Sequence, residues 1–289
     1  MALDAASSPP TKIEAKTNKI TLTGPQETLL ATLYGRSRDA ANSNPILGDE
    51  WALQLVEKVD YDFAKTGIDA TASASIAIRA KLLDQWTSEF LAAHSSATVL
   101  HLACGVDSRC LRVQRGPGVR WVDVDLPDVI DLRQQLVPTP EGDYRLLSAS
   151  VIDADQWLDS IPADRPTIVV FEGLTMYLHE DEGRRMVETI VNRFASTGGQ
   201  LVFDCYGSIA IRLQRFMRPV KNTGSELHWG IDNPKALEAW CSGLKLVDDL
   251  RSVDMPGISQ LPLAAQAQAW VVSNIPYLRN AGRVLRYKF

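Results

Sequence analysis

Gly105 closes a short apolar run at residues 98–103, in the order Ala103-Cys104-Gly105-Val106-Asp107-Ser108-Arg109. A glycine at the end of a strand lets backbone N–H groups approach a ligand closely. About twenty residues further on, Asp125 ends a second apolar stretch, 119–124. An acid at that offset can accept two hydrogen bonds from the hydroxyls of a ribose. The plain alternatives are a tight turn for Gly105 and a strand end or helix cap for Asp125, because Pro127 and Asp128 signal a helix start. Together, the glycine turn and the spaced acid point to a nucleoside cofactor.

Both NAD and S-adenosylmethionine fit that much. The dinucleotide fingerprint GxGxxG seats a pyrophosphate on a helix N-terminus. Here its three positions hold Ala103, Gly105 and Ser108, with Asp107 between them. An extra anion repels a pyrophosphate and suits a sulfonium ligand that carries an amino group, so the turn favours S-adenosylmethionine. Glu172-Gly173 follows the continuous apolar run 167–171. A charge directly after a buried strand needs a partner. Glu172 can cap the next turn, or it can hold the ammonium group or the cationic methyl donor of the cofactor. Tyr177 then falls near the reacting centre, although a packed tyrosine with a satisfied hydroxyl is as common.

These residues need a sheet to bring them together. Runs at 98–103, 119–124, 167–171 and 200–204 read as strands, with later ones near 244–249 and 267–272. A helical stretch at 180–194 and a Gly198-Gly199 stop separate two of them. Strands alternating with helices predict an α/β fold with a doubly wound, mostly parallel sheet. Its ligands sit at the carboxyl ends of the strands. Ahead of the sheet, residues 27–94 are helical: Trp51, Leu55 and Val59 recur at four-residue steps, as do Ile78, Leu82, Trp86 and Phe90. The chain thus divides into a mobile leader at 1–19, a helical cap at 20–95 and a Rossmann-like domain at 96–289. Residues 206–233 form a long irregular loop within that domain, and such loops are usually functional.

Bulk properties exclude several other classes. Hydrophobic residues make up 45% and charged residues 22% of 289, which is the profile of a globular protein. A net charge of -5 without a Lys/Arg run argues against nucleic acid as a partner. Cys104, Cys110, Cys205 and Cys241 form no CxxC, and His94, His101, His179 and His228 are scattered, so no metal site is expected. The start of the chain lacks the blocks of a signal peptide, and no apolar run is long enough to span a bilayer, so no membrane is expected and the default is the cytoplasm. Oligomeric state leaves no trace in the sequence.

Residues 99–113 (VLHLACGVDSRCLRV), 121–130 (WVDVDLPDVI) and 172–178 (EGLTMYL) resemble the signatures of the leucine carboxyl methyltransferase family. The match is closer to its branch of tetracenomycin-type polyketide O-methyltransferases. Residues 32–62, 76–91 and 227–240 (LHWGIDNPKALEAW) resemble that branch's helical cap and the segment before its last strands. The similarity runs over roughly residues 21–275. It implies a class I methyltransferase fold with a seven-stranded sheet and S-adenosyl-L-methionine as cofactor. It also implies that Arg79 clamps the methionine carboxylate, a task suited to a guanidinium fork. Gly105 would line the methionine moiety, Asp125 hold the ribose, and Ser150 and Val151 flank the adenine, with Ala103 and Leu126 also among the cofactor-binding residues. Glu172 and Gly173 would lie at the methionine end, while Asp107 and Arg109 brace the turn. The sequence departs from the family at Ala103, where a glycine is usual.

The reaction implied is in-line displacement on the sulfonium methyl by an oxygen nucleophile. A carboxylate acceptor is already ionised, whereas a phenol gains from a base. Tyr177 and His228 are the candidate catalytic residues, and Arg212, Arg215 or Arg218 could draw in an anionic acceptor. The expected partner is a small aromatic or polyketide-like acid. The competing functions are methylation of a protein C-terminal leucine carboxylate, and a cofactor-binding protein that no longer methylates.

Overall fold

The computed structural model describes residues 18–19, 25–217, 220–221 and 224–289. The expected leader lies outside them except for Asn18 and Lys19, which pair in parallel with Val59 and Asp60. Seven strands form the main sheet: β1 Ala97–Leu102, β2 Val119–Asp125, β3 Tyr144–Ser148, β4 Thr167–Phe171, β5 Gly199–Tyr206, β6 Lys245–Arg251 and β7 Gly282–Lys288. Their order is 3-2-1-4-5-7-6. All neighbours are parallel except β7, which runs antiparallel to β5 and β6. The strand order reverses between β1 and β4, so a crevice opens at their carboxyl ends.

The central strands are apolar because helices cover both faces of the sheet. Every residue of β1, β2 and β4 is buried. Phe171 and Phe203 stack at 4.5 Å across β4 and β5, and Tyr287 of β7 continues the stack at 5.8 Å. Each such pair adds about 0.5–1.5 kcal/mol beyond area burial. On this face lies helix α5 (Glu180–Phe194), which follows α4 (Pro127–Leu136) in the chain. Pro127 opens α4, where its missing N–H costs nothing.

Among the described residues, three α-helices precede the sheet: α1 Pro25–Ala40, α2 Glu50–Glu57 and α3 Ala70–Ala93. Asp69 caps α3 through the N–H of Ala72 at 2.8 Å. Ile78, Leu82, Trp86 and Phe90 are buried along one stripe of α3, which packs on the opposite sheet face. The other four-residue series breaks at its end, because α2 stops at Glu57 and Val59 is extended.

One expected strand is absent. Residues 267–272 lie inside helix α6 (Leu263–Ser273), not in the sheet. Its alanines and glutamines are good helix formers that outweigh two valines. The strand that completes the sheet is β7, further along the chain. Among the described residues, no helix is long and apolar enough to cross a membrane.

Candidate functional site

A cavity of about 820 Å³ occupies the carboxyl edge of the sheet. Five strands deliver residues to it: Ala103 and Gly105 after β1, Asp125 at the end of β2, Ser150 and Val151 after β3, Glu172 and Gly173 after β4, and Tyr206 at the end of β5. The cap closes it with Leu29, Arg36, Ile76 and Arg79. Met217 and Val220 reach it from the 206–233 segment, and Met255 and Ile258 from beyond β6.

The turn after β1 is left-handed at two positions. Gly105 has φ +50, and Ala103 has φ +49, the one non-glycine with positive φ among the described residues. A Cβ there costs roughly 1–2 kcal/mol. The surroundings hold the strained turn in place. The Gly105 N–H donates to Asp125 Oδ2 at 2.7 Å, and Arg133 Nη1 donates to the carbonyls of Gly105 and Asp107 at 2.9 and 2.7 Å. Asp125 also accepts the Leu126 N–H at 2.8 Å. Burial pushes the Asp125 carboxyl up, and these backbone N–H groups oppose that only in part.

Beneath the turn lies a network of buried charges. Arg109 is fully buried and donates to Asp84 Oδ1 and Glu172 Oε2, each at 2.6 Å. Its Nη1 lies 3.2 Å from His101 Nε2, and His101 Nδ1 lies 3.1 Å from Asp123 Oδ1. Arginine only donates, so Nε2 accepts and the imidazole proton sits on Nδ1. Asp107 meets Arg112 at 2.5 Å, Arg109 at 3.5 Å and Arg36 at 3.9 Å. Burial raises its carboxyl, but these guanidiniums outweigh it and hold Asp107 well below the usual range. Asp107 therefore carries no uncompensated charge that would favour a sulfonium over a pyrophosphate. The charge of Asp107 is neutralised by arginines and is not spent on a ligand.

Glu172 and Arg79 form the second half of the site. Glu172 Oε1 spans Arg79 Nε and Nη2 at 3.0 Å each, and Asp204 Oδ2 takes Nη1 at 2.9 Å. That leaves one N–H on each terminal nitrogen of Arg79. Burial raises Glu172, and Arg79 and Arg109 then bring it down to about 2. Asp204 is also buried; burial raises it, and Arg79 offsets this only in part. Its Oδ1 accepts the Gly173 N–H at 2.6 Å, fixing a turn where Gly173 has φ +68. Among the carboxylates that line the cavity, Asp107 and Glu172 are paired with arginines, whereas Asp125 is held by two backbone N–H groups. The volume lies high in the range of about 300–1,000 Å³ for ligand pockets. Among the described residues, no cluster of His, Cys, Asp and Glu could hold a metal ion.

The sequence profile of the leucine carboxyl methyltransferase family matches residues 30–191. The tetracenomycin polyketide synthesis O-methyltransferase TcmP of Streptomyces glaucescens is 41% identical over 273 residues, covering 93% of this chain and 98% of that protein. The chain belongs to the leucine carboxyl methyltransferase family. The S-adenosyl-L-methionine-dependent methyltransferase dpfgK of Gibberella zeae is also 41% identical, over 78% of this chain and 82% of its own length. A DUF574 family protein of Streptomyces avermitilis shares the fold with a TM-score of 0.57 at 14% identity, over 90% of this chain and 96% of that one. A Thermobifida fusca protein assigned as a methyltransferase gives 0.55 at 18% identity, over 88% and 93%. The fold is that of class I methyltransferases, and the family makes the chain an S-adenosylmethionine-dependent enzyme.

Within this family member, the cavity gathers every expected cofactor-binding position: Arg79, Ala103, Gly105, Asp125, Leu126, Ser150, Val151, Glu172 and Gly173. It also includes Tyr177. His228 is not brought to it. That residue is exposed, stacks on His179 at 4.2 Å and is held by its backbone N–H to Met176 O at 2.8 Å. Arg212 and Arg215 are not among the lining residues either, and Arg218 lies outside the described residues. Sequence reading missed Asp204, Arg133, His101 and Tyr206. Asp204 and Tyr206 end a strand whose apolar run was visible, and that position was the available signal. Arg133 sits in a helix and carries none.

Proposed function

We propose that this chain transfers a methyl group from S-adenosylmethionine to an oxygen of a small aromatic or polyketide-like acid. The carrying observation is one continuous cavity with two kinds of wall. Asp125, Gly105 and Glu172 line its sheet side with Arg79 facing them from the cap, whereas Ile76, Met176, Met217, Val220, Met255 and Ile258 form an apolar wall. Such a lining suits a flat hydrophobic acceptor better than a peptide end. The name of TcmP, a polyketide synthesis O-methyltransferase, points the same way.

In this reading Arg79 offers its remaining N–H pair to the methionine carboxylate, already oriented by Glu172 and Asp204. Asp125 faces the ribose, while Leu126, Ser150 and Val151 flank the adenine. The cofactor supplies an electrophilic methyl on a sulfonium. The protein aligns the acceptor oxygen and excludes water, and such alignment can contribute up to about 7–11 kcal/mol. Tyr177 is the catalytic candidate that remains at the cavity. An ionised carboxylate acceptor needs no base, so the position of His228 away from the cavity is no obstacle. The division into leader, cap and catalytic domain and a cytoplasmic setting belong to the same proposal; four unpaired, buried cysteines suit a reducing compartment.

The test is mass spectrometry of aromatic and polyketide acids incubated with the protein and S-adenosylmethionine. A gain of one methyl group on an oxygen is expected. Methylation confined to a peptide ending in leucine would overturn the acceptor class, and no product with tight cofactor binding would overturn the reaction.

A further inference from the structure

Tyr206 ends β5 and lines the cavity, half-buried. Its ring packs with Tyr177, Ile211 and Met217 around the small apolar cluster of Met176, Val220 and Leu227. On its other side is Gly282, where even an added Cβ would come within 3.9 Å of the ring. The backbone is pinned as well: the Tyr206 carbonyl accepts the Ile231 N–H at 2.7 Å, and the next residue's N–H donates to Ala281 O at 3.1 Å. The ring is therefore held at the cavity wall.

The hydroxyl has no hydrogen-bond partner among the described residues, and it is not sealed from the cavity. A hydroxyl on a cavity wall bonds to whatever fills the cavity, water in the free enzyme and the bound molecule in a complex. Arg79 and Asp204 lie within electrostatic reach, and Asp204 shares the strand face of Tyr206 by the period of two. Burial raises the phenol, so the group is a donor throughout the physiological range. Arg79 holds two carboxylates and, in the proposed function, keeps its remaining N–H pair for the cofactor, while Asp125 accepts two backbone N–H groups. Among the polar groups on the acceptor side, Tyr206 is thus a donor in need of an acceptor.

We propose that Tyr206 is a specificity-determining residue that donates a hydrogen bond to the acceptor molecule, to an oxygen beside the one that is methylated. For a carboxylic acid this is the second carboxyl oxygen. The favoured acceptor class is then an aromatic acid, not an isolated phenol. This inference rests on the methyltransferase reading of the cavity.

The experiment uses the full chain saturated with S-adenosylhomocysteine, with 3-hydroxy-2-naphthoic acid and 2-naphthol as probes, measured by calorimetry. Tyr206→Phe keeps the ring and its packing. It should weaken the acid roughly tenfold or more, the loss of one hydrogen bond to a charged group. The naphthol and S-adenosylhomocysteine should change less than about twofold. Equal weakening of acid and naphthol would make Tyr206 a packing residue and overturn the proposal. So would parallel loss of S-adenosylhomocysteine, or a wild-type protein that binds the cofactor product but not the acid. Failure of the wild type to bind S-adenosylhomocysteine would instead overturn the methyltransferase reading itself.

Discussion

Arg79 and Glu172 stand 93 residues apart in the chain and meet with Nε and Nη2 each 3.0 Å from one carboxylate oxygen. One comes from the cap helix α3 and the other from the turn after β4. The proposed cofactor clamp is thus itself the seam between cap and sheet. Removing the guanidinium leaves Glu172 and Asp204 buried with fewer counter-charges, a change that typically costs about 3–5 kcal/mol.

Arg79→Ala should therefore lower both cofactor affinity and stability. Arg79→Lys keeps the charge but loses the fork, so it should fold better and still bind S-adenosylmethionine more than tenfold weaker, as expected of lost bidentate contacts. Calorimetry and thermal melts separate the two effects. A lysine variant with unchanged affinity would remove Arg79 from the cofactor site.

The same pair sets a pH dependence. In the folded chain Glu172 titrates at about 2, below its ordinary 4.5. A depressed carboxyl adds stability above its unfolded value, and that stability is lost as pH falls through the folded value. The contribution of Glu172 should thus be complete above about pH 5 and disappear between about 4.5 and 2. Asp125 and Asp204 are shifted upward and act in the opposite sense. Melting temperature measured from pH 6 to 3 should fall, and Glu172→Gln should flatten that fall while lowering the plateau. A variant with an undiminished slope would assign the acid limb to Asp107 and Asp123 instead.

How much of this was legible in the sequence depends on the range of the interaction. β1, β2, β4 and β5 are apolar runs, and Gly105 and Asp125 stand at a spacing imposed by one βαβ step, so all were readable. β3 was not, because Tyr144–Ser148 is short and its half-buried and exposed positions follow no regular period. β7 was hidden by its arginines. Arg283 is tolerated in a central strand beside Asp249 of β6, and Arg286 beside Asp248 of β6 and Glu89 of α3. Asp107 and Arg109 were readable as braces of the turn, but not their partners. Asp84, Arg36 and Arg112 converge from three elements, and nothing local announces a contact across 25 or 71 positions.

Ala103 gives the third prediction. With φ +49 it bears a left-handed strain of roughly 1–2 kcal/mol. Replacing it by glycine relieves that strain, at an entropic cost of about 0.4–1 kcal/mol in the unfolded chain. Ala103→Gly should accordingly leave the melting temperature equal or higher, with cofactor affinity retained. Ala80→Gly is the control. That alanine is fully buried within α3, and its replacement should cost about 1 kcal/mol or more. Destabilisation of equal size at both sites would show that the Ala103 methyl makes contacts worth more than its strain.

Asp49 gives the last. It caps α2 by accepting the Ala52 N–H at 3.2 Å, and it also accepts Arg36 Nε at 3.1 Å from α1. From the sheet side, Ser108 Oγ lies 2.6 and 2.7 Å from its two oxygens and Arg112 Nη1 lies 3.3 Å away. With Arg109–Asp84, Arg112–Asp84, Arg36–Asp107 and Arg79–Glu172, this forms a set of ionic ties between the cap and the turns that carry the proposed cofactor site. Buried charges of this kind cannot part without one being left uncompensated. The cap should therefore not unfold ahead of the sheet. Urea titration followed by far-ultraviolet circular dichroism and tryptophan fluorescence should give coincident single transitions for the wild type. Asp49→Asn keeps the cap acceptor but removes the charge, and it should shift both probes together to lower urea. Two separated transitions in the wild type would make the cap an independent unit and the ionic ties too weak to couple it.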